Sequence, residues 1–376
     1  MKISIVGAGP AGLYFACYLK TFRPNFEITI FEAKHESMND FGIGYTLQKL
    51  DTILLERMDA DFYQKLFSDE VTPTITQALF KTNNQQRTLP FSEGFSVTRE
   101  QLLGYLMNMA TSLGVTITNK KILPTELPQL QNDFDLVLAA DGISSIAREL
   151  YKDELKTKEH KAKLKFSWFT NETKQERTEA CFYAFNSAEG VTLLTSYPLT
   201  KNKQAVVIEM TDSCLDSGDL RGKNPTQAIP YLNKLLSENG DDINLIPANL
   251  PWYTFKMNTV GKLYHENLAL IGDAAYSFHY SAGQGVTTSF SMAYTLAQCI
   301  LKNQNINLAL AHYNHSINLL LTEPAKKSLR HMEWFENIDR YFRITDSQDW
   351  LDLFLQKDEF GQIKKSNKDC NTGVCR

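Results

Sequence analysis

The sequence predicts an α/β protein in which a parallel-sheet domain is interrupted by an antiparallel sheet and followed by a helical segment. Three observations support this fold class. A strand–glycine loop–helix–strand unit opens the chain at 2–33, four strand-like runs rich in aromatic and β-branched residues occupy 161–211, and a second strand–loop–helix unit follows at 267–301. We therefore expect a discontinuous first domain at 1–155 and 262–310, with a sheet domain inserted at 156–261. C-terminal helices are expected at 311–360 and a mobile polar tail at 361–376.

Length and composition restrict the classes of function that are open to this chain. Its 376 residues, 43% hydrophobic and 22% charged, suffice for two domains with a shared core. The formal net charge of −4 argues against nucleic acid as the main partner. No apolar run reaches the ~18 residues of a membrane span, and glycines interrupt the first apolar run, which argues against a secretory signal peptide.

The cysteines point to a reducing compartment. The chain has six, and their spacing fits neither a metal site nor a disulfide framework. We therefore expect no bound metal and a cytoplasmic location. Cys370 and Cys375 in the tail either close a small disulfide loop or are two unrelated thiols.

The opening unit carries a dinucleotide-binding fingerprint. A buried strand leads into a Gly-x-Gly-x-x-Gly loop and a helix, and the next strand ends on Glu32. Gly7 permits the tight turn, Gly9 lets the backbone approach a pyrophosphate, and Gly12 allows close helix–strand packing. The helix N-terminus offers N–H groups to the phosphates, and the Glu32 carboxylate can accept from ribose hydroxyls. The predicted binding residues of this unit are Gly7, Gly9, Pro10, Ala11, Gly12, Glu32 and Ala33.

Two later segments are placed to reach the same ligand. Gly42 and Gly44, two residues apart, suggest backbone that passes close to a ligand, although a plain turn is the alternative. Asp141 and Gly142 directly follow the buried strand 133–140. Ligands of open α/β sheets bind beyond the carboxyl ends of such strands, so we place both residues in the site.

Arg99 occupies a position that helix electrostatics alone does not favour. Thr98 and Gln101 form a capping box that begins a helix, which puts Arg99 in its first turn. The helix dipole disfavours a cation there. A role in binding an anionic ligand would explain Arg99, and a simple surface arginine is the alternative.

The second strand–loop–helix unit contributes its own candidates. Strand 267–271 leads into Gly272 and Asp273, and a helix begins after the segment Gly283–Val286. Its N-terminus could face a second part of the same ligand, and Asp273 could bind a polyol hydroxyl. A structural turn with a helix-capping aspartate is the alternative. The binding residues predicted here are Gly272, Asp273, Gly283, Gln284, Gly285 and Val286.

Aromatic residues and one histidine are candidates for a second pocket. Aromatic side chains can line a small-molecule site, although each also suits a hydrophobic core. The candidates are Tyr45, Trp168, Tyr183, Tyr197, Trp252 and Phe255. His279 lies in the loop of the second unit and can donate a hydrogen bond or orient a substrate, or be satisfied by the backbone. The segment 307–342 is predicted to be helical, with a kink or a new start at Pro324.

Taken together, the three glycine-containing motifs resemble those of the single-component (class A) FAD-dependent aromatic hydroxylases, which share the p-hydroxybenzoate hydroxylase fold. The resemblance covers residues 1 to about 300. The segments 41–44, 279–283 and 333–338 resemble signatures of the violacein-pathway indole hydroxylase and of the salicylyl-CoA and 2-aminobenzoyl-CoA hydroxylases.

The resemblance implies a Rossmann-like (GR2-type) FAD-binding domain, with NAD(P)H as co-substrate. It also implies hydroxylation of an electron-rich aromatic substrate, indole-like or an aryl thioester, by O2 through a flavin hydroperoxide. Arg99 would reach the pyrophosphate, Asp141 the cofactor, Asp273 the ribityl chain, and the backbone at 283–286 the flavin ring. His279 and Tyr280 become the catalytic candidates. A monomer or a homodimer is expected.

Two departures from the family pattern concern the nicotinamide site. The chain has no arginine between Arg23 and Arg57, and it has His279-Tyr280 where many relatives have a Pro-Pro pair. The nicotinamide site and any movement of the flavin are therefore left open. The alternative functions are an FAD-dependent reductase or dehydrogenase of a hydrophobic substrate and a non-catalytic FAD-binding pathway partner. The segments typical of flavin-dependent halogenases are missing from the sequence.

Overall fold

A computed structural model describes residues 1–33, 43–67, 74–82, 85–174, 177–187, 190–239 and 243–344. Gly42, Cys370 and Cys375, which the sequence singles out, lie outside these ranges. No helix within the ranges combines the length and the apolar character that crossing a bilayer requires.

The helices of the described part are α1 (Pro10–Phe22), α2 (Lys49–Met58), α3 (Phe62–Phe67), α4 (Arg99–Ser112), α5 (Leu127–Asp133), α6 (Ile146–Leu150), α7 (Asp212–Ser217), α8 (Pro225–Glu238), α9 (Gly285–Lys302), α10 (Ile306–Glu336) and α11 (Ile338–Ile344). The strands are β1 (Lys2–Val6), β2 (Glu27–Glu32), β3 (Gly44–Gln48), β4 (Thr74–Lys81), β5 (Gln86–Thr98), β6 (Thr116–Asn119), β7 (Leu136–Ala139), β8 (Lys158–Glu172), β9 (Glu179–Ser187), β10 (Gly190–Thr200), β11 (Lys203–Met210), β12 (Leu245–Pro247), β13 (Tyr253–Thr259), β14 (Tyr264–His265) and β15 (Leu268–Leu270).

The first sheet has the strand order β14-β15-β7-β1-β2-β6 and is parallel except for the pairing of β14 with β15. Its central strands are mostly buried aliphatic residues, as expected where helices cover both faces of a parallel sheet. Val6 of β1 and Leu270 of β15 both align with Ala139 of β7. The three loops that follow these strands therefore leave the sheet at one edge.

The second sheet is larger than the inserted domain that the sequence predicts. Its order is β12-β8-β11-β10-β9-β4-β5-β3, and β13 also pairs with β8. Strands β3, β4 and β5 come from 44–98, so the expected boundary at 155/156 does not separate the two sheets. The pairing of β4 with β9 is parallel, so the sheet is not purely antiparallel. The sequence conceals β4 because its burial pattern lacks strict alternation, and its partner β9 lies about a hundred residues away.

The two faces of this second sheet pack against different neighbours. One face, here called the outer face, carries Phe169, Tyr183 and Ile208 and is covered by the apolar sides of α7 and α8. The other, the inner face, is packed in part by Trp334 and Phe335 of α10. Helix α10 runs through Pro324 without a break, and the next helix begins only at residue 338. The inner face is thus the one that α10 covers in part.

Candidate active site

The opening glycine loop has two crowded glycines and one open one. Gly7 adopts φ = +104°, and a Cβ there would lie 2.5 Å from the carbonyl oxygen of Ala140. A Cβ on Gly12 would lie 2.4 Å from the carbonyl oxygen of Gly7. A Cβ on Gly9 would meet nothing within 4 Å. Gly7 and Gly12 therefore shape the turn, and Gly9 leaves open the space in front of the N-terminus of α1.

That helix N-terminus has the properties of an anion site. Gly9 precedes α1 without a capping side chain, and the first turn contains no acidic residue. Pro10 begins the helix and Ala11 is buried in the core beneath it. The N–H groups of the first turn, together with the helix dipole, suit a phosphate group.

The late Gly-Asp segment lies directly beside this loop. Gly272 has φ = +60°, and a Cβ there would lie 3.0 Å from the Cβ of Ala11. The guanidinium of Arg148 joins the loops after β7 and β15, since it donates to the carbonyl oxygens of Ala274 at 2.8 Å and Asp273 at 3.2 Å and to that of Ile143. Sequence reasoning assigned no role to Arg148. Its place in α6, shortly after Asp141 and Gly142 at the end of the same buried strand, was the available signal.

Three carboxylates surround the same space. Glu32 accepts the backbone N–H of Ala8 at 2.6 Å, so it already faces the glycine loop. Asp141 accepts the N–H of Ile146 at 2.8 Å through Oδ2, while its buried Oδ1 has no hydrogen-bond partner. Burial raises the pKa of Asp141. Burial also raises the pKa of Asp273 to about 6, against the opposing effect of two arginines. Acceptors for hydroxyl groups therefore border the groove at several points.

Arg99 is oriented toward this groove by the start of its helix. The predicted capping box is confirmed, because the Thr98 hydroxyl accepts the N–H of Gln101 and the Gln101 side chain accepts the N–H of Thr98. The Arg99 guanidinium donates to the Tyr45 hydroxyl and lies 5.6 Å from the centre of that ring. Burial raises the pKa of Tyr45 to about 12, so the phenol stays protonated at neutral pH. Arg99 and Asp273 both act electrostatically on Tyr45, which places the three side chains together.

The loop before α9 is attached to α2 by polar contacts. Gly283 has φ = +59°, and its carbonyl oxygen accepts from Nε2 of Gln48 at 3.0 Å. Oδ2 of Asp51 accepts the N–H of Gln48 at 2.7 Å and the hydroxyl of Thr287 at 2.9 Å. Burial raises the pKa of Asp51 to about 6. Sequence reasoning missed Gln48 and Asp51, because only the folded chain brings α2 against the first turn of α9.

The remaining glycine-loop candidates differ in what surrounds them. Gly142 and Gly285 have open space where a Cβ would lie, and the buried Oε1 of Gln284 has no hydrogen-bond partner. Val286 packs against the main core. Gly44 is crowded instead, since a Cβ there would lie 2.2 Å from Cδ1 of Leu199. The absence of a side chain at Gly44 is therefore explained by packing, and its predicted contact with the cofactor stays a prediction.

His279 and Tyr280 lie together at the inner face, in contact with a carboxylate that sequence reasoning missed. The Tyr280 hydroxyl donates to Glu209, and Nε2 of His279 lies 3.6 Å from the other oxygen of that carboxylate. Nδ1 of His279 is 2.7 Å from the hydroxyl of Ser281, and its backbone N–H donates to Ser328 of α10. The signal for Glu209 was a single charged residue within the apolar run of β11.

The aromatic candidates divide between the two faces of the second sheet. Trp168 and Tyr197 lie on the inner face with ring centres 6.5 Å apart, and the Tyr197 hydroxyl donates to the carbonyl of Gly44 at 3.2 Å. Both side chains are only half-buried. Phe255 is buried next to His279, with ring centres 5.1 Å apart. An aromatic wall thus faces strand β3, which begins at Gly44.

Tyr183 and Trp252 do not belong to this wall. Both pack into the outer-face cluster beneath α8, and the Tyr183 hydroxyl donates to the carbonyl of Asn239 at 3.3 Å. Their assignment to a substrate pocket stays a prediction, and their packing on the outer face does not support it. Tyr183 pairs with Leu194 rather than with Thr195, and that register alone decides which face it occupies.

Known proteins resemble the chain along most of its length. The family model of an NAD(P)-binding Rossmann-like domain matches residues 5–37. Salicyloyl-CoA 5-hydroxylase from a Streptomyces species is 25% identical, over 92% of this chain and 68% of that protein. Protodeoxyviolaceinate monooxygenase from Chromobacterium violaceum is 22% identical, over 93% of this chain and 92% of that protein. The predicted resemblance to aromatic hydroxylases is confirmed by these relatives.

A solved structure supports the same fold. The crystal structure of a probable FAD-dependent monooxygenase from Pseudomonas aeruginosa matches with a TM-score of 0.67 at 14% identity. The match covers 91% of this chain and 98% of that one. A likeness at this identity shows the fold, and it agrees with the predicted α/β class.

Proposed function

We propose that this protein is an FAD-dependent monooxygenase of the class A aromatic hydroxylase type, and that it hydroxylates an electron-rich aromatic substrate with NAD(P)H and O2. The observation that carries the proposal is the contact of Gly272 with Ala11, which joins the opening glycine loop and the Gly-Asp segment at one sheet edge. The half-buried aromatic inner face borders the same region through Tyr197 and Gly44.

The residues of the groove fit an extended FAD. Open space at Gly9 and the uncapped start of α1 suit the pyrophosphate, and Glu32 suits the adenosine ribose. Asp273 suits a ribityl hydroxyl, and the unpartnered Oε1 of Gln284 is an acceptor available at the start of α9. When bound, FAD would take a hydride from the nicotinamide and activate dioxygen.

The chain's own residues would bind the aromatic ring and exclude water from it. Trp168 and Tyr197 offer half-buried aromatic surface, and the fully buried Val207 lies between the strands that carry them. Tyr280 offers a hydroxyl whose proton is already directed at Glu209. A mostly apolar pocket with few polar groups is typical of small-molecule sites. By excluding water, it reduces side reactions that would consume reducing equivalents without hydroxylating the substrate.

Oxygen and nicotinamide consumption test the proposal. Purified protein is loaded with FAD, and NADH or NADPH oxidation is followed in air against a panel of indolic, anthranilate-type and aryl-thioester compounds. At least one compound is expected to accelerate the oxidation by about tenfold or more, and mass spectrometry should find a product with one added oxygen atom. Acceleration that persists without oxygen would identify a reductase, and no acceleration by any compound would leave only an FAD-binding protein.

A further inference from the structure

Glu209 is a charged residue in an otherwise uncharged part of the inner face. The strand register aligns the inner-face residues around Glu209 in three rows, and beyond them the next row pairs Glu172 with Lys203. The three rows are Tyr253, Phe166, Glu209, Leu193 and Ala184; Trp168, Val207, Thr195, Phe182 and Phe80; and Thr170, Ala205 and Tyr197. Glu209 is the one ionisable carboxylate of the described positions in these three rows, and none of them is lysine or arginine.

The surroundings of Glu209 hold it in place without a strong cation. Glu209 is 1% exposed and its carboxylate accepts from Tyr280. Within the described residues, the basic side chain close to it is His279, whose Nε2 lies 3.6 Å from the carboxylate. His279 is itself 1% exposed and enclosed by the rings of Phe255 and Phe335, so it does not extend beyond Glu209 toward the open part of the face. The cross-strand neighbour of Glu209 is the uncharged Phe166, whereas Lys165 pairs with Met210 and donates to Thr254.

Tyr280 connects this carboxylate to the open part of the face. Burial and the neighbouring Glu209 raise the pKa of Tyr280 well above its ordinary value, so the phenol stays protonated. Its O–H donates a hydrogen bond to Glu209. The Tyr280 ring lies 5.4 Å from Phe166 and is only half-buried. The polar end of the pocket therefore combines a buried carboxylate with a phenol oxygen whose remaining lone pair can accept.

A pocket with this polarity discriminates by charge. A substrate N–H or O–H can donate to the phenol oxygen or to the carboxylate. A substrate carboxylate would bring a second negative charge near Glu209 in a low-dielectric site, with no lysine or arginine on the three rows to pair with it. Burial without a partner is costly for such a group.

We propose that Glu209 determines substrate specificity, selecting an uncharged aromatic compound with an N–H or O–H donor and rejecting free aromatic carboxylic acids. This assignment rests on the proposed function and narrows its substrate class. Amides, thioesters whose ring carries an amino or hydroxyl group, and unsubstituted heteroaromatics of the indole type meet the requirement. The corresponding free acids do not.

Matched pairs of compounds test the assignment. Dissociation constants for anthranilamide and anthranilate, salicylamide and salicylate, and indole and indole-2-carboxylate are measured by calorimetry on the FAD-loaded protein, together with kcat/KM. We expect the uncharged member to bind on the order of 30-fold more tightly than the acid. Glu209→Gln keeps an acceptor for Tyr280 and removes the charge, so the ratio should fall to about threefold.

Glu172→Gln is the matched control, because it makes the same change at an exposed end of β8 in the same sheet, and it should leave the ratio unaltered. The wild-type ratio tests the assignment even if Glu209→Gln does not fold, which its melting temperature and FAD content will show. Acids that bind as well as their amides, or a ratio that Glu209→Gln leaves unaltered in folded protein, would overturn the assignment and leave the hydroxylase function standing. Failure of every compound in the wider aromatic panel to bind or stimulate NAD(P)H oxidation would remove both.

Discussion

The glycine loop and the inner face of the second sheet border one groove, but they are specified in different ways. In the loop, the backbone itself sets the geometry, since side chains at Gly7 or Gly12 would approach a carbonyl oxygen within 2.5 Å. On the inner face, the fold decides which side chains are present, and Tyr183 and Tyr197 show this because only strand register puts them on opposite faces. A local motif therefore specifies the nucleotide end of the groove, whereas long-range pairing specifies the substrate end.

Gly12→Ala and Gly9→Ala should separate the two roles of glycine within the loop, and this is the largest effect we expect. The Cβ of Gly12→Ala would overlap the carbonyl of Gly7, so the free energy of unfolding of the apoprotein should fall by about 3 kcal/mol. Gly9→Ala meets open space, so stability should be nearly unaltered while FAD affinity falls about tenfold or more. Urea denaturation and FAD titration measure the two quantities.

The same two variants can contradict this division of roles within the glycine loop. Equal losses of stability in both variants would mean that the loop has no division between packing and binding positions. Full FAD affinity in Gly9→Ala would place the pyrophosphate elsewhere.

The parts of the fold that the sequence predicts correctly are those in which local chemistry determines structure. The capping box predicted at Thr98 and Gln101 forms, and the helix that it begins starts at Arg99 as expected. The strands between 158 and 211 follow the predicted runs. In each case, neighbouring residues contain the whole signal.

The parts that the sequence does not predict depend on partners far away along the chain. Strands β3 and β5 join the sheet of the second half only through β4, which pairs in parallel with β9. Glu209 acquires a role because the loop of Tyr280 crosses above it. Asp51 reaches Thr287 across 236 residues. Periodicity carries no information about which distant elements meet.

Asp273→Asn should reveal the cost of burying a carboxylate at the junction of the two regions. Burial raises the pKa of Asp273 from 3.8 to about 6, so the folded protein holds more protons than the unfolded chain between these values. The free energy of unfolding of the apoprotein therefore decreases as pH rises from about 4 to 6 and is level above that. The asparagine variant lacks this loss, so at pH 7 it should be about 1–2 kcal/mol more stable than the wild type, with no difference at pH 4. Its FAD affinity should nonetheless fall.

Asp59→Asn serves as a control of opposite sign. Burial raises the pKa of Asp59, but hydrogen bonds from Lys65 and the backbone of Asp61 outweigh it and leave the pKa below its ordinary value. Asp59→Asn should therefore lower stability at pH 7, and the difference should shrink as pH falls through about 4. Chemical denaturation across pH 4–8 measures both variants. A stability difference for Asp273→Asn that does not change with pH would show that Asp273 is not buried as a charge.

Tyr197→Phe and Tyr183→Phe compare the inner and outer faces with the smallest expected effect. Each variant loses one hydroxyl that donates to a backbone carbonyl, at Gly44 for Tyr197 and at Asn239 for Tyr183, so each should lose about 0.5–1.5 kcal/mol of stability. Only Tyr197→Phe releases the strand that leads to Tyr45 and borders the groove, so it alone should raise KM for the aromatic substrate, by about threefold. Both substitutions should lower the melting temperature by similar amounts. The ratio of the KM values of the two variants therefore reports which face borders the substrate, independently of the loss of stability. A raised KM in Tyr183→Phe, with Tyr197→Phe unaltered, would place the substrate on the outer face and reverse the assignment of the two faces.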